Sequence, residues 1–188
     1  MFQIDCTENK SMNGKNHCGF TLYELLITLA IIAILTAIAT PSFGTLIQRN
    51  RVASAASDII ASITYARSEA IRRGRAVVIC PAETGLQDGW TIEAGSASGA
   101  FPTCGGDNIL LQHEALKQIA SIAPPPAAPT LPTTRLSINR MGVSNNVDGA
   151  WASIAFQATG CTSGAEGMRR TLTITQLLEV DSTSGSCS

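Results

Sequence analysis

The chain has 188 residues, of which 45% are hydrophobic and only 14% are charged, and its formal net charge is -1. That length suits one compact domain with a membrane segment and is too short for two ordinary domains. Residues 48–75 contain six arginines against two acids, whereas residues 76–188 contain five basic and nine acidic residues. A basic face running across the whole body, as nucleic-acid binding would use, is therefore excluded, and any basic patch is local.

Residues 20–39 form an apolar segment with one ionisable side chain, Glu24. Crossing the hydrocarbon core of a bilayer takes about 20 such residues, so the segment predicts a single membrane-spanning helix. A secretory signal peptide would place its small residues after the apolar core, whereas here they precede it. Lys10 and Lys15 lie ahead of the segment and indicate a cytoplasmic N-terminus.

A carboxylate within such a segment costs roughly 2.5–3.5 kcal/mol at its centre and less near its edge, so it needs a partner or a function. One interpretation is that Glu24 merely reaches the membrane interface. However, residues 19–24 read GFTLYE and precede an apolar run, which resembles the class III signal of type IV pilins and pseudopilins. The resemblance favours a function in assembly.

The resemblance implies that a prepilin peptidase cuts between Gly19 and Phe20 on the cytoplasmic side, and that the new amino group of Phe20 is then methylated. Glu24 would be the fifth residue of the mature chain and would pair with the free amine of a neighbouring subunit. Such pairing neutralises the acid on assembly and sets the register of a helical filament. Residues 1–19 make a long leader, and a start at Met12 would shorten it to eight residues.

Residues 20–40 are predicted to form the transmembrane half of a long helix, and residues 41–73 its amphipathic half. We expect a kink at Pro41 and Gly44, because proline removes a backbone hydrogen bond and clashes with the preceding turn. Gly74 is typical of the position just past a helix end. The amphipathic half carries an apolar stripe at helical spacing, formed by Val52, Ala56, Ile59, Ile63, Ala66 and Ala70.

Residues 74–188 are predicted to form a β-rich head, because short runs of β-forming residues alternate there with turn residues. Apolar side chains alternate through residues 171–180 and predict one half-buried strand. The proline-rich tract 123–132 cannot join a central strand and is interpreted as a surface loop. The predicted strands are 75–80, 89–93, 109–112, 136–139, 152–157 and 171–180.

Four cysteines follow the apolar segment, and Cys6 and Cys18 precede it. Their spacing lacks the CxxC pairs and nearby histidines of a zinc site, so no metal is expected. In an oxidising compartment the four can pair in three ways. Sequential pairing is favoured because each bridge then closes a short loop, which gives Cys80 with Cys104 and Cys161 with Cys187.

Residues 65–80, YARSEAIRRGRAVVIC, are similar to the GspH/FimT group of the pilin superfamily. Gly89 and Trp90 stand where that group tends to place a Gly-Trp pair, and Trp90 is interpreted as a core residue in either case. The resemblance implies an α+β type IV pilin fold, with a long N-terminal helix packed on a β-rich head. It also implies a minor pilin or pseudopilin of a type IV pilus or type II secretion pseudopilus, anchored by a single pass in the bacterial inner membrane with its head in the periplasm. Its partners would be other pilin or pseudopilin subunits.

An enzyme needs a nucleophile, a base and a stabilising group in one place, and the sequence assembles no such set. His113 is interpreted as a surface residue, no cofactor is expected, and the chain is predicted not to be an enzyme. The alternative function is DNA binding during natural transformation, which requires exposed basic side chains. Resembling proteins that bind DNA carry Gly-Arg-x-Arg near the C-terminus, whereas residues 176–181 here read QLLEVD. Arg169 and Arg170 are the candidate DNA contacts, and a structural subunit is favoured.

Overall fold

The computed structural model describes residues 20–96, 102–117, 119–120, 134–144 and 151–187, leaving out the side chains of residues 38–42 and 120. The chain forms two compact units, Met1–Phe43 and Gly44–Ser188. The first unit contains the start of the long helix, and the second contains the rest of that helix together with all of the described strands.

Helix α1 extends continuously over Leu22–Arg73, close to the predicted 20–73. Its first turn is capped by Thr21, whose hydroxyl oxygen accepts a hydrogen bond from the backbone N–H of Glu24 at 3.2 Å. This contact satisfies one of the N–H groups that the start of a helix leaves unpaired. Within the residues that the structure describes, no helix is long and apolar enough to cross a membrane.

The C-terminal end of α1 is closed at Gly74, as predicted. Gly74 has a φ of 62°, in the left-handed region that glycine adopts without steric cost. Its N–H donates to the carbonyl of Ile71, and the N–H of Arg75 donates to the carbonyl of Ala70, both at 3.2 Å. This pair of hydrogen bonds is the Schellman motif, and it turns the chain from the helix into the first strand.

Eight strands follow the helix in the described residues: β1 (Val77–Ala82), β2 (Gly85–Ala94), β3 (Ile109–His113), β4 (Ile119–Ala120), β5 (Leu136–Ile138), β6 (Ser153–Ala158), β7 (Glu166–Ile174) and β8 (Val180–Ser186). They form two antiparallel four-stranded sheets, with the orders β3-β2-β1-β5 and β4-β6-β7-β8. The first five predicted strands are confirmed, with ends shifted by up to four residues. The sequence does not predict the two-residue β4, and the proline-rich tract lies outside the described residues.

The sixth predicted strand, 171–180, is confirmed for residues 171–174 and wrong beyond them, because residues 175–179 form the turn between β7 and β8. The N–H of Leu178 donates to the carbonyl of Thr175 at 2.8 Å, and the N–H of Thr175 donates to the carbonyl of Glu179 at 3.0 Å. Leu178 takes a left-handed φ of 59° yet is buried. Apolar alternation therefore continues through the turn, and periodicity alone does not reveal where the chain reverses.

The predicted apolar stripe is confirmed, since all six of its side chains are buried. In the second unit, the stripe packs in one core with Ile79 and Trp90 of the first sheet and with Phe156 and Leu172 of the second. This burial supplies the main stabilisation of the helical segment, which would be marginal alone. The expected α+β arrangement, a long helix packed on a β-rich head, is confirmed.

Candidate functional site

The N-terminal part of α1 is open on all sides. Every side chain from residue 20 to residue 37 is exposed, although most of them are apolar. Phe20 is 81% exposed, and the carboxylate of Glu24 has no partner within the described residues. A contiguous apolar surface of this extent marks contact with lipid or with another protein.

Thr21 and Glu24 also have the spacing of a capping box, in which the side chains at the two positions satisfy backbone N–H groups reciprocally. The structure contains one of the two hydrogen bonds of the capping box, in which the hydroxyl of Thr21 accepts from the backbone N–H of Glu24. This local role was missed, although the Thr-x-x-Glu pattern is visible in the sequence. A negative charge in the first turn also complements the helix dipole, so Glu24 has a structural role besides the one that assembly would give it.

The processing and kink residues stay predictions. Gly19 lies outside the described residues, and Phe20 directly precedes the helix cap. Helix α1 is continuous through Pro41 and Gly44. A Cβ atom placed on Gly44 would meet nothing within 4 Å, so packing does not require glycine there.

Both predicted disulfides are confirmed. Cys80 is bonded to Cys104 with Cα atoms 5.7 Å apart, and Cys161 to Cys187 with Cα atoms 5.9 Å apart. The first bridge ties β1 to the segment before β3, and the second ties the segment before β7 to the end of β8. Each closes a loop of about 25 residues, which restricts the unfolded chain and supports the sheet to which it is attached.

Glu93 is a buried carboxylate beside the first disulfide, and sequence analysis missed it. Its two oxygens accept hydrogen bonds from the N–H groups of Gly105 and Gly106, at 3.2 and 3.0 Å, and from the hydroxyl of Thr91 at 2.8 Å. These donors compensate for the removal of the carboxylate from water. Glu93 therefore fastens the loop that follows Cys104, which is a structural role.

Trp90 is a core residue, as predicted, and it joins the helix to the first sheet. Its indole N–H donates to the hydroxyl of Ser62 at 3.0 Å, and its ring stacks on His113 with centroids 3.9 Å apart. His113 is half-buried instead of fully exposed, with Nε2 3.6 Å from a carboxylate oxygen of Asp58. Among the described residues, no three His, Cys, Asp or Glu side chains form a group that could hold a metal ion.

The last turn of α1 carries an ionic cluster around Glu69. Arg72 donates from Nε and Nη2 at 2.7–3.0 Å, and Arg73 donates from Nε at 2.5 Å. Hydrogen bonds from Arg73 and Arg72 stabilise the charged carboxylate and hold the pKa of Glu69 below its ordinary value. Both arginines also lie in the last turn, where positive charge is favourable near the negative end of the helix dipole.

The two candidate DNA contacts are adjacent on β7 and therefore lie on opposite faces of the second sheet. Arg170 is paired with the buried Phe156 and donates to the hydroxyl of Ser182 at 3.3 Å. Arg169 is paired with Gln157 on the other face. Both arginines are only partly exposed. The structure does not bring them together as one basic footprint.

Comparison with known proteins places the chain in a family. It belongs to the family described as Type II transport protein GspH, whose model matches residues 55–178, more than half of the chain. The prokaryotic N-terminal methylation motif matches residues 14–40. The predicted membership in the pilin superfamily and its GspH/FimT group is confirmed by these two matches.

The individual relatives match a smaller share of the chain or have a lower sequence identity. Two fimbrial proteins of Pseudomonas aeruginosa are each 43% identical over 75 residues, which is 39% of this chain and 48% of theirs. The chain thus spans about half the length of the curated relatives it matches. Crystal structures of the Pseudomonas aeruginosa type IV minor pilin FimU in two space groups are 22% and 20% identical, with TM-scores of 0.47 and 0.46. They cover 74% and 73% of this chain and 97% and 100% of their own.

Proposed function

We propose that the chain is a minor subunit of a type IV pilus or type II secretion pseudopilus, and that it enters the filament through residues 20–40 of its helix. One observation carries the proposal: every described side chain from residue 20 to residue 37 is exposed, in a segment that matches the N-terminal methylation motif. Within the described part of the chain, this apolar surface therefore stays open to solvent. Lipid before assembly and neighbouring helices after assembly would cover it.

The proposed location is the bacterial inner membrane, with a single pass and the head in the periplasm. The apolar sequence 20–39 has the length of a membrane span. Two disulfides in the head fit an oxidising compartment, which the periplasm is. The head is proposed to have no enzymatic role, and residues 74–188 would serve as the filament's outer part.

Processing is proposed to occur between Gly19 and Phe20 by a prepilin peptidase, followed by methylation of the Phe20 amine. Mass spectrometry of the protein extracted from membranes should find an N-terminal peptide that begins with methylated Phe20. A mature chain that starts beyond residue 39 would contradict the proposal, because an ordinary signal peptidase would then have removed the anchor.

Glu24 is proposed to pair with the N-terminal amine of a neighbouring subunit. Its carboxylate has no partner within the described residues, while an unpaired charge is costly in lipid. Glu24→Val should insert into the membrane as well as the wild type or better, and should be depleted from sheared filament fractions. Equal recovery of the variant and the wild type in those fractions would contradict the pairing.

Glu24→Gln separates this role from helix capping. Glutamine can replace glutamate in a capping box, but it carries no charge. If the charge is needed for assembly, Glu24→Gln will be depleted from filaments as strongly as Glu24→Val. If Glu24→Gln assembles normally and only Glu24→Val fails, Glu24 acts as a cap and the proposed ion pair is wrong.

A further inference from the structure

Beyond residue 51, four large apolar side chains of the described residues are more than half exposed. Three of them lie on segments that pack together near the C-terminal end of α1: Ile71 (54%), Met141 (70%) and Leu177 (55%). We call these three residues the helix-end patch. The fourth, Ile109 (51%), lies on β3 at the opposite edge of the first sheet from β5. The packing of these three segments against one another distinguishes this surface from exposed residues scattered singly.

Direct contacts bring the three segments together. Nη1 of Arg67 donates to the carbonyl of Leu177 at 3.0 Å, which fixes the β7–β8 turn to the helix. A Cβ atom on Gly142 would lie 2.7 Å from Cδ1 of Ile71, so the loop that carries Met141 is packed closely on the same helical turn. The three segments that carry the patch thus lie side by side within the second unit.

The loops that present the patch are held in fixed conformations. The side-chain oxygen of Asn139 accepts hydrogen bonds from the N–H groups of Met141 and Val143, at 2.9 and 3.1 Å. Leu178 is buried in a left-handed conformation, and the neighbouring Leu177 is exposed. Left-handed backbone at a residue other than glycine is strained and clusters at active sites, ligand clamps and switch regions. A surface already fixed in shape loses little entropy on binding.

The charges around the patch indicate what kind of partner fits. The segments 67–73, 139–144 and 175–179 contain four arginines and two glutamates, a net charge of +2. A second copy of the chain docking through the same surface would bring two such positive rims together, which is unfavourable. A different protein with carboxylates around an apolar surface would be attracted. The charged residues are Arg67, Glu69, Arg72, Arg73, Arg140 and Glu179.

We propose that the helix-end patch binds the head of another pilin-like subunit of different sequence, through an apolar surface rimmed by acidic side chains. The inference rests on the proposed function, because a filament places unlike subunits side by side. Three side chains make a small contact compared with a stable isolated complex. Within a filament, contacts between the N-terminal helices would raise the effective concentration, so a small contact is sufficient.

The test uses the full-length chain in the bacterium that produces it, with a photo-crosslinking amino acid at position 141 and, as the matched control, at position 109. Position 141 should crosslink to an identified protein that carries its own class III signal, and position 109 should not. A crosslink from position 141 to the same chain alone, to lipid alone or to nothing would overturn the proposal. Equal crosslinking from both positions would also overturn it.

Met141→Glu, combined with the crosslinker at position 177, tests the chemistry of the surface. The variant places a negative charge opposite the carboxylates of the partner. The yield of the crosslinked product should therefore fall about tenfold, as expected when a central interface residue is lost. The melting temperature should not change, because Met141 is exposed. If crosslink and filament recovery both match the wild type, the patch is wrong while the proposed function stands. If the wild type itself is absent from filaments, the proposed function fails first.

Discussion

The two parts of helix α1 differ in how much of their apolar surface is exposed. In residues 20–37 every side chain is exposed, whereas in residues 52–70 the apolar stripe is fully buried against two sheets. Both parts are apolar and regular, so helical structure alone does not distinguish them. The stripe is narrow and is covered by the chain itself, while the N-terminal part is apolar on all sides and is not. One part therefore stabilises the head, and the other leaves its apolar side chains exposed.

The largest difference in the free energy of unfolding should appear when one isoleucine in each part of the helix is shortened to alanine. Ile59→Ala should lower the free energy of unfolding of the head by about 2–5 kcal/mol, because Ile59 is fully buried and a cavity would remain. Ile31→Ala, in the exposed part, should change it by less than about 0.5 kcal/mol. Denaturant unfolding of both full-length variants in detergent measures this. Similar losses would mean that the N-terminal part contributes to the stability of the head.

Two glycine substitutions, one crowded and one open, test how closely the backbone packs in the first sheet. A Cβ atom on Gly89 would lie 2.5 Å from the carbonyl oxygen of His113, and φ is 103°. Gly89→Ala should therefore cost about 3 kcal/mol, from backbone strain and overpacking together. Gly160→Ala is the matched control, with φ 78° and nothing within 4 Å, and should cost about 1 kcal/mol. Equal melting temperatures for the two variants would show that the close approach is unimportant.

A smaller, pH-dependent effect is expected from Glu69 in the last turn of the helix. Because Arg73 and Arg72 lower the pKa of Glu69 in the folded state, its contribution to stability is complete above about pH 4.3, the ordinary value for glutamate. That contribution is lost as the pH falls through the lowered pKa. Glu69→Gln should remove this part of the acid sensitivity. Glu83→Gln, at an exposed residue without an ion pair in the described structure, is the control and should leave the pH profile of unfolding unchanged.

The smallest effect concerns DNA. Since Arg169 and Arg170 face opposite sides of the sheet, one DNA duplex can contact only one of them from either face. The head should bind DNA no more tightly than about 10⁻⁴ to 10⁻⁶ M, with a log-log salt slope near -1. A gel-shift titration across salt concentrations measures both quantities. Nanomolar binding at physiological salt, lost in the Arg169→Ala, Arg170→Ala double variant, would instead make DNA uptake the leading function.

Several features of this protein follow from the sequence alone because they depend on residues close together along the chain. The helical spacing of the apolar stripe, the glycine at the helix end and the short loops between cysteines are all local patterns. The GFTLYE signal is equally local. The stripe predicts the helix, the glycine predicts its end, and the cysteine spacing predicts the disulfides. The signal predicts the superfamily.

Other features were decided only by the tertiary structure, because they join segments far apart in sequence. Arg67 donates a hydrogen bond to Leu177, 110 positions away in the sequence. Nothing in the sequence near Glu93 indicates its role, which depends on hydrogen bonds from Gly105 and Gly106. The turn at residues 175–179 also escaped prediction, since a buried left-handed Leu178 imitates the alternation of a strand. Burial and long-range hydrogen bonds depend on which surfaces meet, and a one-dimensional pattern does not contain that information.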